Sequence, residues 1–66
     1  MKFNDKVAYL RQKKGYTQAE LAEMINVTQP AIVSYEAGKA KPRKNTAIFL
    51  AKALGVSYEE LVEEQA

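Results

Sequence analysis

The sequence predicts an all-α domain, a compact bundle of five short helices. Apolar residues recur at spacings of three and four, the period of an α-helix, and no alternating strand pattern is present. Hydroxyl residues that begin helices and glycines that end them divide the chain at short intervals: Gly15, Thr17, Thr28, Gly38, Gly55 and Ser57. No linker or low-complexity segment interrupts the sequence, so we expect residues 1–66 to form a single domain.

The composition argues against several classes of function. Among the 66 residues there is no cysteine and no histidine, which removes disulfides, thiolate metal ligands and the commonest general base. There is no glycine-rich phosphate loop, and a chain of this length leaves little room for a cleft. We therefore expect no enzyme activity, no cofactor, no metal and no small-molecule ligand. The lack of cysteine fits a cytoplasmic protein, and no apolar run is long enough to span a bilayer.

Charge is divided unevenly along the chain. Residues 1–44 carry nine lysines and arginines against four acids, whereas residues 45–66 carry one lysine against four glutamates. The net charges of +5 and −3 give the formal +2 of the whole chain. This division indicates a face at one end that binds a polyanion, and the alternative is an ordinary solvated surface.

Local signals place the first three helices. The first helix is expected from the N-cap Asn4 to Gly15, with Val7, Leu10 and the stem of Lys14 facing inward. The second begins at a capping box, in which a threonine and a glutamate three residues later bond reciprocally to the backbone. The third begins at a threonine N-cap and ends at a glycine. The second helix is expected to begin at the capping box of Thr17 and Glu20, to bury Leu21, Ala22 and Ile25, and to end at Asn26. The third is expected to begin at Thr28, to turn Ile32, Tyr35 and Glu36 inward, and to end at Gly38.

Two more helices complete the expected bundle. The fourth is expected from Asn45 or Thr46 to Leu54, and the fifth begins at Ser57 with a second capping box that includes Glu60. The inward residues of these two helices are Ala47, Leu50, Ala51, Leu54, Leu61 and Val62.

The second and third helices are joined by only Asn26 and Val27. A turn this short forces the two helices to cross steeply, with Val27 filling the corner. The third helix, residues 28–37, then projects outward, and a helix presented in this way fits the major groove of DNA.

Four short motifs follow one another along the chain at fixed spacing. They are Thr17-Gln18-Ala19-Glu20-Leu21-Ala22, Thr28-Gln29-Pro30-Ala31-Ile32, Tyr35-Glu36-Ala37-Gly38-Lys39 and Leu50-Ala51-Lys52-Ala53-Leu54-Gly55-Val56-Ser57. With these motifs the sequence resembles the Cro/phage-repressor (XRE-type) helix-turn-helix family over about residues 6–62. One departure is Asn26, where the family usually has glycine. The resemblance implies a lambda-repressor-like DNA-binding bundle with its helix-turn-helix core at residues 17–38.

The resemblance also implies the DNA contacts. Gln29 is expected to read base edges, because an amide can bond adenine bidentately. Val33 and Ser34 are the next outward positions. Val33 is expected to contact a thymine methyl, and Ser34 a base or a phosphate. Pro30 offers no donor, so fewer base hydrogen bonds are expected than in similar proteins. Phosphate contacts are expected from Gln18, Thr28, Lys39, Lys41, Arg43 and Lys44; for the four cations the alternative is a solvated loop.

Two further sets of residues receive other roles. Similar proteins pair the arginine at position 11 with the glutamate at position 36, so Arg11 and Glu36 are expected to form a structural ion pair. Phe49, Tyr58 and Val62 are expected to form a dimer interface, and the alternative is incidental exposure. The glutamates near the C-terminus are expected to form a solvated acidic face rather than a cation site.

These observations lead to one functional expectation and one alternative. We expect a homodimeric transcriptional regulator, encoded by a bacterium or a phage, that binds a palindromic operator in double-stranded DNA and acts as a repressor. The alternative is a protein-interaction module such as an antitoxin, or a restriction-modification controller that activates transcription.

Overall fold

Five helices follow one another in the computed structural model, which describes residues 1–63. They are α1 (Phe3–Lys14), α2 (Gln18–Met24), α3 (Gln29–Ala37), α4 (Lys44–Leu54) and α5 (Tyr58–Val62). The all-α prediction is confirmed, and no strand occurs within the described part of the chain. The longest helix has 12 residues, and none of those described is long and apolar enough to cross a membrane.

Helix α1 packs on α3, α4 and α5, while α2 packs on α3 and α5 packs on α4, so the core lies along the inner side of α1. Each helix contributes at least one apolar side chain, because each carries apolar residues along one stripe. The buried apolar residues are Phe3, Val7, Leu21, Ala22, Ile25, Ile32, Ala47, Leu50, Ala51, Leu54 and Leu61.

Most of the caps occur where the turn chemistry predicts them. Thr17 and Glu20 form the complete capping box of α2, with bonds of 3.0 Å and 2.8 Å. Thr28 caps α3 by accepting from the amide of Ala31. At α5 the expected second capping box is only half formed. The Ser57 hydroxyl accepts from the amide of Glu60 at 3.0 Å, but the Glu60 carboxylate bonds to that hydroxyl, at 3.4 Å, rather than to the Ser57 amide.

The first and fourth helices begin earlier than expected. Helix α1 starts at Phe3, so Asn4 lies inside its first turn rather than capping it. The earlier start includes Phe3 in the helix, and its side chain is buried in the core. Helix α4 starts at Lys44, one residue before Asn45, the earlier of its two expected starts.

Two side chains expected to face inward do not do so. Lys14 is exposed, because its charged end stays in solvent at the end of α1, close to Gly55. Val62 keeps 37% of its surface exposed. On a helix of five residues the neighbouring Leu61 takes the single inward position.

Lys6 joins the two ends of the described chain. Its ammonium donates to the backbone oxygens of Glu60 and Glu63, at 2.6 Å and 2.5 Å. A cation at the C-terminal end of α5 satisfies carbonyls that have no partner within the helix. This contact holds the short α5 against α1.

Candidate nucleic-acid interface

The turn between α2 and α3 sets the direction of the candidate recognition helix α3. Asn26 adopts a left-handed conformation with φ of 58°, and it is the one non-glycine residue of the described chain with positive φ. Asparagine tolerates this conformation better than most residues. The amide of Val27 then donates to the carbonyl oxygen of Ala22 at 2.9 Å, and Val27 packs against the core. The chain thus changes direction within a few residues between α2 and α3.

A bidentate ion pair holds α3 against α1. Arg11 Nε donates to Glu36 Oε2 at 2.6 Å and Arg11 Nη2 donates to Glu36 Oε1 at 3.1 Å. The two side chains are only 12% and 9% exposed. The hydrogen bond with Glu36 raises the pKa of the Arg11 guanidinium, and burial partly opposes that effect. The third guanidinium nitrogen donates to the carbonyl of Tyr16 at 2.8 Å, so the pair also fixes the start of the loop before α2.

Gln18 also forms a hydrogen bond with Glu36 of this ion pair. Its side-chain nitrogen donates to Glu36 Oε1 at 3.2 Å. This side chain, expected to grip a phosphate, is therefore partly committed to a protein partner. Gln18 also begins α2, so its side chain lies beside the backbone amides of the first turn of that helix.

The outward side of α3 carries the predicted base-reading residues. Gln29, Pro30 and Val33 are exposed, and Ser34 is half-buried. The Thr28 hydroxyl is exposed but occupied, because it accepts from the amide of Ala31 at 3.3 Å. Gln29 and Val33, four residues apart, therefore share one solvent-facing side of α3, whereas Ser34 faces the groove beside the basic loop.

The four predicted loop cations follow directly after α3. Lys39, Lys41, Arg43 and Lys44 are all exposed, and Lys44 also lies 5.8 Å from the ring of Tyr58. Arg43 is the N-cap residue of α4, and no side chain caps that helix. Positive charge and uncapped backbone amides at one place favour an anion.

A shallow groove of about 510 Å³ separates the first two turns of α3 from the basic loop. Its lining includes Thr28, Ser34, Lys41 and Arg43, together with Thr46, which was expected only as a possible start of the fourth helix. Local patterns did not place Thr46 at this surface, because only the folded chain brings the start of α4 beside α3.

Asn4, expected as an N-cap, instead contacts the end of α3. Its side-chain nitrogen donates to the backbone oxygen of Glu36 at 3.5 Å, and its amide group lies 3.5 Å from where a side chain at Gly38 would begin. Gly38 itself has φ of 76° and closes α3. Asn4 thus supports the end of α3 at the point where the basic loop departs.

The proposed dimer residues do not all lie together. Tyr58 and Val62 line one groove of about 120 Å³, with Phe3 and Ala47. Phe49 is 55% exposed and is not among the residues that line this groove. Among residues 1–63 no group of acidic side chains has an arrangement suited to holding a metal ion.

Comparison with known proteins agrees with this geometry. A family model described as helix-turn-helix matches residues 7–61. The chain is 37% identical over 62 residues to the HTH-type transcriptional activator BcrR of Enterococcus faecalis, an alignment that covers 94% of this chain. The chain spans 30% of the length of BcrR, and 55–56% of two Bacillus subtilis regulators that it also matches.

Solved structures show the same fold. The P22 c2 repressor, determined in complex with a synthetic operator, superimposes with a TM-score of 0.93 at 26% identity and covers 98% of both chains. The restriction-modification controller C.AhdI from Aeromonas hydrophila superimposes with a TM-score of 0.83 at 27% identity, covering 89% of this chain and 86% of that one. With its two helices joined at Asn26, its exposed α3 and these similarities, the chain belongs to the Cro/phage-repressor (XRE-type) family of helix-turn-helix DNA-binding transcriptional regulators.

Proposed function

We propose that residues 1–66 form one DNA-binding domain, which acts in the bacterial cytoplasm as a homodimeric repressor of transcription. Helix α3 of each copy enters the major groove of a palindromic operator. Repression follows because the bound protein occupies the promoter. The observation that carries this proposal is the exposed side of α3, held by the largely buried Arg11–Glu36 pair and followed by four exposed cations.

Different residues of this surface contact the bases and the phosphates of the DNA. Gln29 and the other outward residues of α3 meet base edges, which differ between base pairs in the major groove. Lys39, Lys41, Arg43 and Lys44 meet the phosphates on the flanking backbone, where attraction is independent of sequence. Thr28 and the first turn of α2 add phosphate contacts at the other end of α3.

Two copies are needed to read a two-fold symmetric site. In a dimer of this type the recognition helices lie roughly 34 Å apart, one turn of DNA. Phe49, Tyr58 and Val62 are the apolar residues proposed to join the copies. The P22 c2 repressor was determined with an operator, which supports an operator as the target here.

The test is selection of binding sites from random double-stranded DNA, followed by titration of the selected duplex at increasing salt. We expect an enriched palindrome and a steep fall of the binding constant with salt concentration. If no sequence is enriched over many rounds, specific operator binding is wrong, and a protein-interaction role such as an antitoxin is favoured.

A second candidate function is activation of transcription. BcrR is named as an activator and C.AhdI as a controller of restriction and modification. A reporter promoter carrying the selected site separates the two roles. Repression lowers its transcript when the chain is expressed, whereas activation raises it.

A further inference from the structure

The basic loop, residues 39–44, lies between two grooves. Lys41 and Pro42 line both of them: the larger groove beside α3, and the groove of about 120 Å³ that α5 lines through Tyr58. Residues 40–43 belong to no helix, so their position depends on the elements that flank them. Helix α5 is therefore a support for the basic loop on the side of the smaller groove.

A lysine at the end of the basic loop contacts the aromatic ring of α5. The Lys44 ammonium lies 5.8 Å from the centre of the Tyr58 ring, a distance at which the face of an aromatic ring attracts a cation. Lys44 is nevertheless exposed, so the ammonium keeps donors that can bond to an anion. The ring restricts the lysine without covering its charge.

The position of Tyr58 is itself fixed at both ends of α5. The Ser57 hydroxyl caps the start of the helix by accepting from the amide of Glu60 at 3.0 Å. Lys6 of α1 holds the other end through backbone oxygens, and Leu61 is fully buried between them. The half-buried Tyr58 ring is therefore a fixed point against which a flexible side chain can rest.

We propose that Tyr58 is a positioning residue for DNA binding, which holds Lys44 ready to contact a phosphate. A free lysine side chain loses conformational freedom when it pairs with a phosphate, and this loss weakens binding. A lysine already restricted by the ring loses less. This inference rests on the proposed DNA-binding function and adds a residue of α5 to the surface. Tyr58 thus serves DNA binding as well as the proposed contact between copies.

A double-mutant cycle tests the proposal. Tyr58→Leu, Lys44→Gln and the double variant are titrated with the selected operator, and their dissociation constants are compared with that of the unaltered chain. At an exposed site a ring contact of this kind is equivalent to about two- to fivefold in affinity for each copy. With two copies bound, Tyr58→Leu should weaken binding about 5- to 25-fold more in the chain with Lys44 than in the Lys44→Gln chain.

The cycle separates positioning from the other roles of Tyr58. A loss of self-association or a loosened fold weakens binding equally in both backgrounds, so an equal loss overturns the proposal. Tyr58→Phe keeps the ring and should bind the operator within about twofold of the unaltered chain. A loss in Tyr58→Phe as large as that in Tyr58→Leu overturns the role of the ring. An unchanged affinity in Lys44→Gln also overturns the proposal.

The chain offers a matched control at the other lysine–tyrosine contact. The Lys13 ammonium also lies 5.8 Å from the centre of a ring, that of Tyr9 on α1, which is not part of the proposed DNA-binding surface. Tyr9→Leu should therefore leave operator binding unchanged, and a loss equal to that in Tyr58→Leu contradicts the proposal. Circular dichroism verifies that all variants are folded. If the unaltered chain binds no selected duplex, the proposed DNA-binding function fails, and this inference with it.

Discussion

The Arg11 guanidinium of α1 holds the Glu36 carboxylate of α3 through two nearly parallel hydrogen bonds, of 2.6 Å and 3.1 Å. Because the paired residues are 25 positions apart in the chain, the pair fixes the distance between two helices rather than stabilising either one. Glu36 also accepts from Gln18 of α2. One carboxylate therefore connects the three helices that position the candidate DNA-binding surface.

Removing one member of this pair should strongly destabilise the fold. For Glu36→Gln and for Arg11→Met we expect the free energy of unfolding to fall by about 3–5 kcal/mol, because a nearly buried charge loses its partner. Arg11→Lys should not restore it, since an ammonium cannot reproduce the bidentate geometry. Urea denaturation measures the change. Glu23→Gln, an exposed glutamate of α2, is the matched control, and a similar small change in both glutamate variants would contradict the prediction.

The left-handed turn residue should respond to backbone preference. Asn26 is exposed with φ of 58°, so Asn26→Ala loses no packing but places a Cβ-bearing residue in an unfavourable conformation. We expect the free energy of unfolding to fall by about 1–2 kcal/mol. Asn26→Gly should stay close to the unaltered chain. Asn45→Ala, an exposed asparagine within α4, should be neutral or slightly stabilising, and equal losses at both asparagines would refute the backbone argument.

Gln29 should contribute to specificity and not to stability. Gln29→Ala is expected to weaken binding to the selected operator by about 1–3 kcal/mol and to relax the preference at one base pair. The side chain is exposed, so the melting temperature should barely change. Gln12→Ala on α1, also exposed, serves as the control in the same gel-shift titration. An unchanged site preference in Gln29→Ala would show that another part of the surface reads the bases.

The cations after α3 should act on every DNA sequence alike. For Lys39→Gln and Arg43→Gln we expect weaker binding to operator and to random DNA, and a salt slope that becomes shallower by about 0.9 for each phosphate that is no longer neutralised. Lys52→Gln, an exposed lysine near the end of α4, should leave the slope unchanged. A weakening confined to one DNA sequence would identify the altered residue as a base reader.

Self-association should depend on the exposed apolar residues near the C-terminal helices. Phe49→Ser and Val62→Ser each remove an exposed apolar side chain, and each should raise the dimer dissociation constant by at least about tenfold. Sedimentation equilibrium measures that constant. Tyr9→Ser on α1 is the control. If neither Phe49→Ser nor Val62→Ser changes the dimer dissociation constant, the interface lies elsewhere.

Local sequence signals determined most of the helix boundaries and the bend between α2 and α3. The capping box of Thr17 and Glu20, the cap at Thr28 and the left-handed Asn26 all involve groups a few residues apart. Such interactions form within one turn of the chain, so residue type and spacing are enough to predict them. The Arg11–Glu36 pair joins distant residues, and it was anticipated from family resemblance rather than from any local pattern.

The tertiary structure alone decided which distant groups meet. The contact of Asn4 with Glu36, the hydrogen bond from Gln18 to the same carboxylate and the hold of Lys6 on α5 join residues between 18 and 57 positions apart. It also placed Phe3 in the core and left Val62 partly exposed. The periodicity of a helix indicates which residues share a face. Which partner covers that face, and which polar group reaches into it, depends on the packing of all five helices together.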